Sequence, residues 1–220
     1  MTRNHFHLSI SPLWALVMAL LVAAAPSPAQ EDLDQRVRRF LSERGSDWED
    51  MNIPARDGEF LYDLIVTNGY TRALEIGTST GHSGIWIAWA LSKTGGKLTT
   101  IEIDESRHAE AVRNFQAAGL ADYIDARLAD AHELVRELPG PFDFVFSDAD
   151  KDWYIRYFQD VAPKMVVGGC YATHNISPRY GGFRGWVGEY VEYLRTREDF
   201  ETTIESTRSS GISLSTKRRK

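Results

Sequence analysis

The chain has 220 residues, 43% of them hydrophobic, and a formal charge of -6 from 25 Lys and Arg against 31 Asp and Glu. That length and apolar content suit one α/β domain around a single core, and the acidic balance argues against a dedicated nucleic-acid binder, which needs a basic face for phosphates. A lone cysteine, Cys170, excludes an internal disulfide and a cysteine-cluster metal site, and so says nothing of redox compartment.

Arg3 precedes an apolar run from Leu13 to Ala25, followed by Ala25-Pro26-Ser27-Pro28-Ala29. This is the basic, apolar and small-residue order of a secretory signal peptide, and the run is shorter than the ~20 residues of a membrane span. The expectation is a leader over 1–29, a domain over 30–220, export to the periplasm or medium, and no stable span after processing. A misassigned start would instead leave the protein cytoplasmic.

Leu33, Val37, Phe40 and Leu41 predict an amphipathic helix over 31–44 that stops before Gly45. Met51 to Pro54 reads as extended, and Asp57 as the N-cap of a helix that carries Phe60, Leu61, Leu64 and Ile65 inward and ends at Asn68-Gly69. The run Arg72 to Ile76 meets Gly77, and after Gly81 a helical pattern holds Ile85, Trp86, Ile87, Trp89 and Leu91. Both tryptophans read as core. A strand, a glycine turn and a helix start place free backbone N–H groups beside a ligand at the sheet's carboxyl edge.

The spacing there is E-x-G-x-x-x-G, from Glu75 through Gly77 to Gly81, rather than G-x-G-x-x-G, so a pyrophosphate is not implied. The next strand, from Lys97 to Ile103, brings Glu102 to its carboxyl end, where a carboxylate can accept from both hydroxyls of a ribose. A nucleoside without pyrophosphate in a βαβ unit suggests S-adenosylmethionine. Asp104 then caps a helix to Ala118 with Ala111, Val112 and Phe115 inward. A strand from Ile124 to Leu128 delivers Asp130 and Ala131 to the same edge, either as a border for a purine or as a plain helix cap.

After Pro139-Gly140-Pro141, Phe142 to Phe146 reads as a buried strand ending in Ser147-Asp148-Ala149-Asp150-Lys151. Carboxylates there can hold a divalent cation, and a lysine beside it can act as a base; a hydrated loop capping the helix from Trp153 to Val161 would look the same. The strand from Gly168 to Thr173 ends in His174-Asn175, on the edge that holds Asp148. Tyr180 to Trp186 reads as a glycine and aromatic loop suited to a flat substrate, leading into a helix from Val187 to Leu194. Phe200 to Ser206 and Ile212 to Thr216 form a hairpin around Arg208-Ser209-Ser210-Gly211, and Lys217 to Lys220 reads as a solvated tail.

The ordered set MNIPARDGEFLYDLI, LEIGTSTGHS, TIEID, LADA, FDFVFSDADKDWY, GGCYATHN and GISLSTKR, from Met51 to Lys217, resembles the cation-dependent O-methyltransferases typified by catechol and caffeoyl-CoA O-methyltransferases. The resemblance implies a Rossmann-like seven-stranded, mostly parallel sheet with a C-terminal antiparallel hairpin and helices on both faces. It implies that Ile53, Glu75, Gly77, Ser79, Gly81 and Ser83 line the methionine and ribose end of S-adenosylmethionine, that Glu102 holds the ribose, and that Asp130 and Ala131 border the adenine. Asp148 is implied as first metal ligand and Lys151 as catalytic lysine, with His174 and Asn175 where the family has an aspartate and an asparagine ligand.

The reaction implied is methyl transfer to one oxygen of a vicinal diol on a small aromatic acceptor, with both oxygens on the metal and the proton going to Lys151. The departure at His174 favours Mn²⁺, Fe²⁺ or Zn²⁺ over Mg²⁺, since imidazole suits transition metals and a neutral ligand weakens the hold on a hard ion. A metal-free alternative has His174 deprotonate the acceptor itself. A non-catalytic S-adenosylmethionine-binding relative, or a methyltransferase of a tRNA hydroxyuridine, are the other readings. No nucleic-acid partner is expected, and a homodimer is compatible with the chain.

Overall fold

Apolar runs punctuated by glycine recur along the chain, and each becomes a strand of one sheet. The structure is a computed structural model that describes residues 32–45, 48, 51–177, 184–205 and 211–219. The expected leader over 1–29, the first part of the glycine and aromatic loop at 180–183 and the hairpin turn at 208–210 lie outside them.

The helices are α1 (Leu33–Arg44), α2 (Ala55–Asn68), α3 (His82–Thr94), α4 (Glu105–Ala118), α5 (Ala131–Glu137), α6 (Tyr154–Val161) and α7 (Gly185–Arg195). The strands are β1 (Arg72–Ile76), β2 (Lys97–Glu102), β3 (Ile124–Leu128), β4 (Phe142–Ser147), β5 (Met165–His174), β6 (Phe200–Glu205) and β7 (Ile212–Lys217). They lie in the order β3-β2-β1-β4-β5-β7-β6. The first five pair in parallel, and β7 runs antiparallel to both β5 and β6. The expected methyltransferase-type sheet with a closing hairpin is therefore present.

Alternation along the central strands divides the core between two faces. Phe144 and Phe146 of β4 pack with Ala73, Leu98 and Ala172 against Leu61, Ile65 and Ile87 of α2 and α3. Val145, between them, points the other way with Leu74, Ile76 and Tyr171, against Val135, Phe158 and Leu194 of α5, α6 and α7. All six residues of β4 are buried, which is why this strand reads as a continuous apolar run. Trp86 and Trp89 are core residues, packed with Val37, Phe115 and Leu120 where α1 and α4 meet α3. The α2–α3 approach is close: a Cβ on Gly58 would lie 2.1 Å from the Trp86 ring.

Two local expectations are corrected. Pro54, not Asp57, is the N-cap of α2, and Asp57 sits inside the first turn with its side chain fully buried. Lys217 is no part of a solvated tail, because the antiparallel register of β7 turns it inward, and its ammonium donates to the carbonyls of Ala162 at 2.8 Å and Met165 at 3.0 Å. Arg218 and Arg219 do reach solvent, pairing with Glu201 and Glu198.

Candidate active site

The strand order reverses at β1 and β4. They are neighbours, yet β2 continues the sheet on one side and β5 on the other, so the connections leaving their carboxyl ends diverge and open a crevice. After β1 the chain turns through Gly77 (φ 99°), Ser79 (φ 49°) and Gly81 (φ 98°) into α3. Gly77 is required by space as well as by φ, since a Cβ there would fall 2.8 Å from the carbonyl oxygen of Asp148. Gly81 faces away from the crevice, against Phe115 and Ala111 of α4.

The crevice encloses about 820 Å³, and its wall includes Ile53, Gly77, Ser79, Ser83, Glu102, Asp130, Ala131, Asp148, Lys151, His174 and Asn175. Two expected residues, Glu75 and Gly81, stand behind that wall. Burial pushes the Glu75 carboxyl up to about 7, against the opposing hydrogen bonds of Ser83 and Thr100 and with the added repulsion of Asp148 and Glu102. The wall also contains residues the sequence did not single out, notably Asn52, Ile103, Arg107, His132 and Tyr157. Ile103 is a large apolar side chain left mostly exposed at the crevice, which nothing in the sequence shows.

Toward β2 and β3 the crevice is a carboxylate ringed by amides. Glu102 Oε2 accepts from the Ser79 N–H at 2.7 Å, and Oε1 accepts from Ile103 and Asp104 at 3.0 and 2.9 Å. Three of the roughly four acceptor positions of a carboxylate are thus filled, and the remaining one is on Oε2. Asp130 lines the crevice and caps α5, accepting from the His132 N–H at 2.8 Å. His132 stacks on Trp153 at 3.6 Å between centroids and lies between Asp130 and Asp150.

Toward β4 and β5 four ionisable side chains form a chain. Lys151 Nζ donates to Asp148 Oδ1 at 2.6 Å and to the Tyr154 hydroxyl at 2.9 Å. Asp148 Oδ2 lies 2.9 Å from His174 Nδ1, and His174 Nε2 lies 2.9 Å from Asp57 Oδ2. The Asp57 contact is an aligned hydrogen bond; the Asp148 contact is a close ion pair off the N–H direction. Tyr154 donates to the His174 carbonyl at 3.2 Å, and burial, with Asp148 close by, keeps its phenol protonated.

Burial alone would lower the His174 imidazole, but Asp148 and Asp57 together outweigh it and push it up to about 9. His82 shows the opposite outcome. It is also buried, but its ring nitrogens meet only the Ile53 carbonyl and the Trp86 indole N–H, and burial pushes it down to about 4. Carboxylate neighbours, not depth, decide the charge of a histidine here.

Residues 26–185 match the family model described as O-methyltransferase. The chain belongs to this family. A catechol O-methyltransferase from Niastella koreensis is 40% identical over 113 residues, 50% of this chain and 51% of that protein. Caffeoyl-CoA O-methyltransferase 1 of Eucalyptus globulus is 31% identical over 159 residues, 67% of this chain and 64% of the relative. The matches thus span from half to under two thirds of these relatives' lengths. The crystal structure of the O-methyltransferase TomG from Streptomyces achromogenes, in complex with S-adenosylmethionine, superposes with a TM-score of 0.68 at 26% identity over 86% of this chain and 92% of that one.

In this O-methyltransferase Asp148, His174 and Asn175, the expected metal ligands, are brought together on the crevice wall, with Asp148 Oδ2 2.9 Å from His174 Nδ1. Both His174 nitrogens face carboxylates, and the two Asp148 oxygens lie beside Lys151 and His174. His174 Nε2 is hydrogen-bonded to Asp57, while the buried Nδ1 has no aligned hydrogen-bond partner.

Proposed function

We propose that the chain transfers the methyl group of S-adenosylmethionine to a hydroxyl of a small aromatic acceptor. One observation carries the reading: Lys151, held by Asp148 and Tyr154, faces the crevice that Glu102 lines toward β2. Relatives named for catechol and caffeoyl-CoA support an aromatic hydroxyl as acceptor.

The residues fit the nucleoside. The last acceptor position of Glu102 suits a ribose hydroxyl, and Gly77 leaves room for close backbone approach. Ile103 and Ala131 offer apolar surface for a base, with the flat His132 and Trp153 stack beside them. When bound, S-adenosylmethionine supplies an electrophilic methyl on a sulfonium. Lys151 orients the acceptor hydroxyl and, entering as the amine, takes its proton on Nζ. The ammonium formed is then held by Asp148 Oδ1 and the Tyr154 oxygen.

The test is methyl transfer to a panel of phenols and catechols, followed by mass spectrometry, together with calorimetric S-adenosylmethionine affinity. Lys151→Ala is expected to lower kcat by ~10² to 10⁴ with affinity unchanged. Retained turnover in that variant would make the lysine a surface charge, whereas S-adenosylmethionine binding with no methyl transfer by the wild type would support a binding-only relative.

A further inference from the structure

The turn whose Ser79 N–H meets Glu102 is held from behind by residues of α1 and α4 that the proposed transfer does not use. We propose that Asn114, oriented by Arg44, is a positioning residue for S-adenosylmethionine: it fixes the Thr80 carbonyl and so keeps the Ser79 turn in the conformation that sets Glu102 for the ribose. The inference rests on the proposed cofactor for its ligand and goes beyond it to what sets the affinity.

Asn114 lies in the interior of α4 and is buried. Asparagine is a poor helix former there, and a buried amide is costly unless both its ends are bonded. Here both are bonded: Nδ2 donates to the Thr80 carbonyl at 2.8 Å, and Oδ1 accepts from Arg44 Nη2 at 2.6 Å. A guanidinium only donates and a carbonyl only accepts, so these partners leave the amide one orientation. Arg44 is the last residue of α1, and α1 is itself fastened along its length. Asp34 accepts from the Trp89 indole at 2.7 Å, and Arg36 donates to the Ala117 and Gln116 carbonyls at 2.8 and 2.7 Å.

The turn needs such a hold. Ser79 has φ 49°, a left-handed conformation that a residue with a side chain keeps only where its surroundings fix it. Thr80, the next residue, is fixed twice: Asn52 of the crevice wall donates to its hydroxyl at 2.7 Å, and Asn114 holds its carbonyl. Arg44 supports the wall segment as well. Its guanidinium lies 5.1 Å from the centre of the Trp48 ring, which stacks on His82 at 4.3 Å, and His82 Nδ1 lies 2.9 Å from the Ile53 carbonyl. With Ser79 in place its N–H reaches Glu102 Oε2, the oxygen that keeps an acceptor position for the ribose. A released turn samples other conformations, and the cofactor binds only the fraction of molecules in which the turn is set.

The experiment takes the full chain and compares wild type with Asn114→Leu by amide hydrogen exchange at Ser79, measured by NMR without cofactor, and by calorimetric S-adenosylmethionine affinity. Asn114→Leu is expected to exchange the Ser79 amide faster and to bind the cofactor ~10-fold more weakly, as for a turn set in about a tenth of the molecules. KM for the cofactor should rise by more than kcat falls. Lys217→Met, destabilised at the other end of β5, controls for lost stability and is expected to move neither readout. If Asn114→Leu does not fold, Arg44→Met decides, with the same two changes expected and with Arg44→Lys, another side chain that only donates, restoring both. Wild-type exchange and affinity in whichever of the two decides would overturn the proposal, as would an equal loss of affinity in Lys217→Met. A wild type that binds no S-adenosylmethionine would refute the cofactor reading, and the Ser79 exchange would still decide what Asn114 holds.

Discussion

His174→Gln removes a titratable group whose charge the fold favours, and the consequence should appear as a pH-dependent gap in stability. The imidazole is pushed up to about 9 in the folded chain, because the pull of Asp148 and Asp57 exceeds the opposing effect of burial, and unfolding returns it to ~6.5. The folded state then holds the proton more tightly, so the stabilisation is complete below pH ~6.5 and disappears as pH rises through ~9. At 1.36 kcal/mol per pKa unit, the difference is about 3 kcal/mol. For a domain of this size that is ~6–12 °C in Tm. Urea unfolding of wild type and His174→Gln between pH 6 and pH 10 measures it, and the difference between the two cancels other groups such as Glu75. The gap should be widest at pH 6 and narrower by about 3 kcal/mol at pH 10. Parallel curves, or a gap that widens with pH, would refute the reasoning.

Glu102→Ala should weaken S-adenosylmethionine by ~1.5–3 kcal/mol for one charge-assisted hydrogen bond rather than twice that, and it should also loosen the three amides the carboxylate now holds; calorimetry and hydrogen exchange at Ile103 and Asp104 check both. Gly77→Ala forces a Cβ against the Asp148 carbonyl at a positive φ, so a stability loss of at least ~1–3 kcal/mol is expected in denaturant unfolding, together with lower kcat. Lys217→Met leaves the Ala162 and Met165 carbonyls without their donor; a loss of ~1–3 kcal/mol in denaturant unfolding with unchanged kcat per folded molecule is the expected result.

The strands were legible wherever burial was continuous or regularly alternating. Phe142 to Phe146 is one apolar run because β4 is covered on both sides, and the turn from Gly77 to Gly81 announced itself through glycines that positive φ requires. Glu75 stands behind the wall rather than on it: a carboxylate two residues before a glycine turn looks exposed, and nothing local shows that Thr100 on the next strand encloses it. Asp57 was missed for the same reason at longer range. Its position near a helix start suits a cap, and its partner His174 lies 117 residues away. The contact of His174 with Asp57 is likewise invisible locally, because only the packing of α2 on α3 brings the two within reach. Lys217 shows that a terminal basic run is not tail-like when strand register continues into it.

The touching backbones of Gly77 and Asp148 link the two halves of the crevice thermodynamically. One belongs to the turn that opens toward Glu102, the other to the loop that carries Lys151, with too little space between them for even a methyl group. A shift on one side must therefore be answered on the other. Any coupling this produces is reciprocal: if the nucleoside tightens the aromatic acceptor by some factor, the acceptor tightens the nucleoside by that same factor. Titrations run in both orders should close the cycle, and the order in which the two arrive would then follow from their concentrations rather than from any obligatory gate.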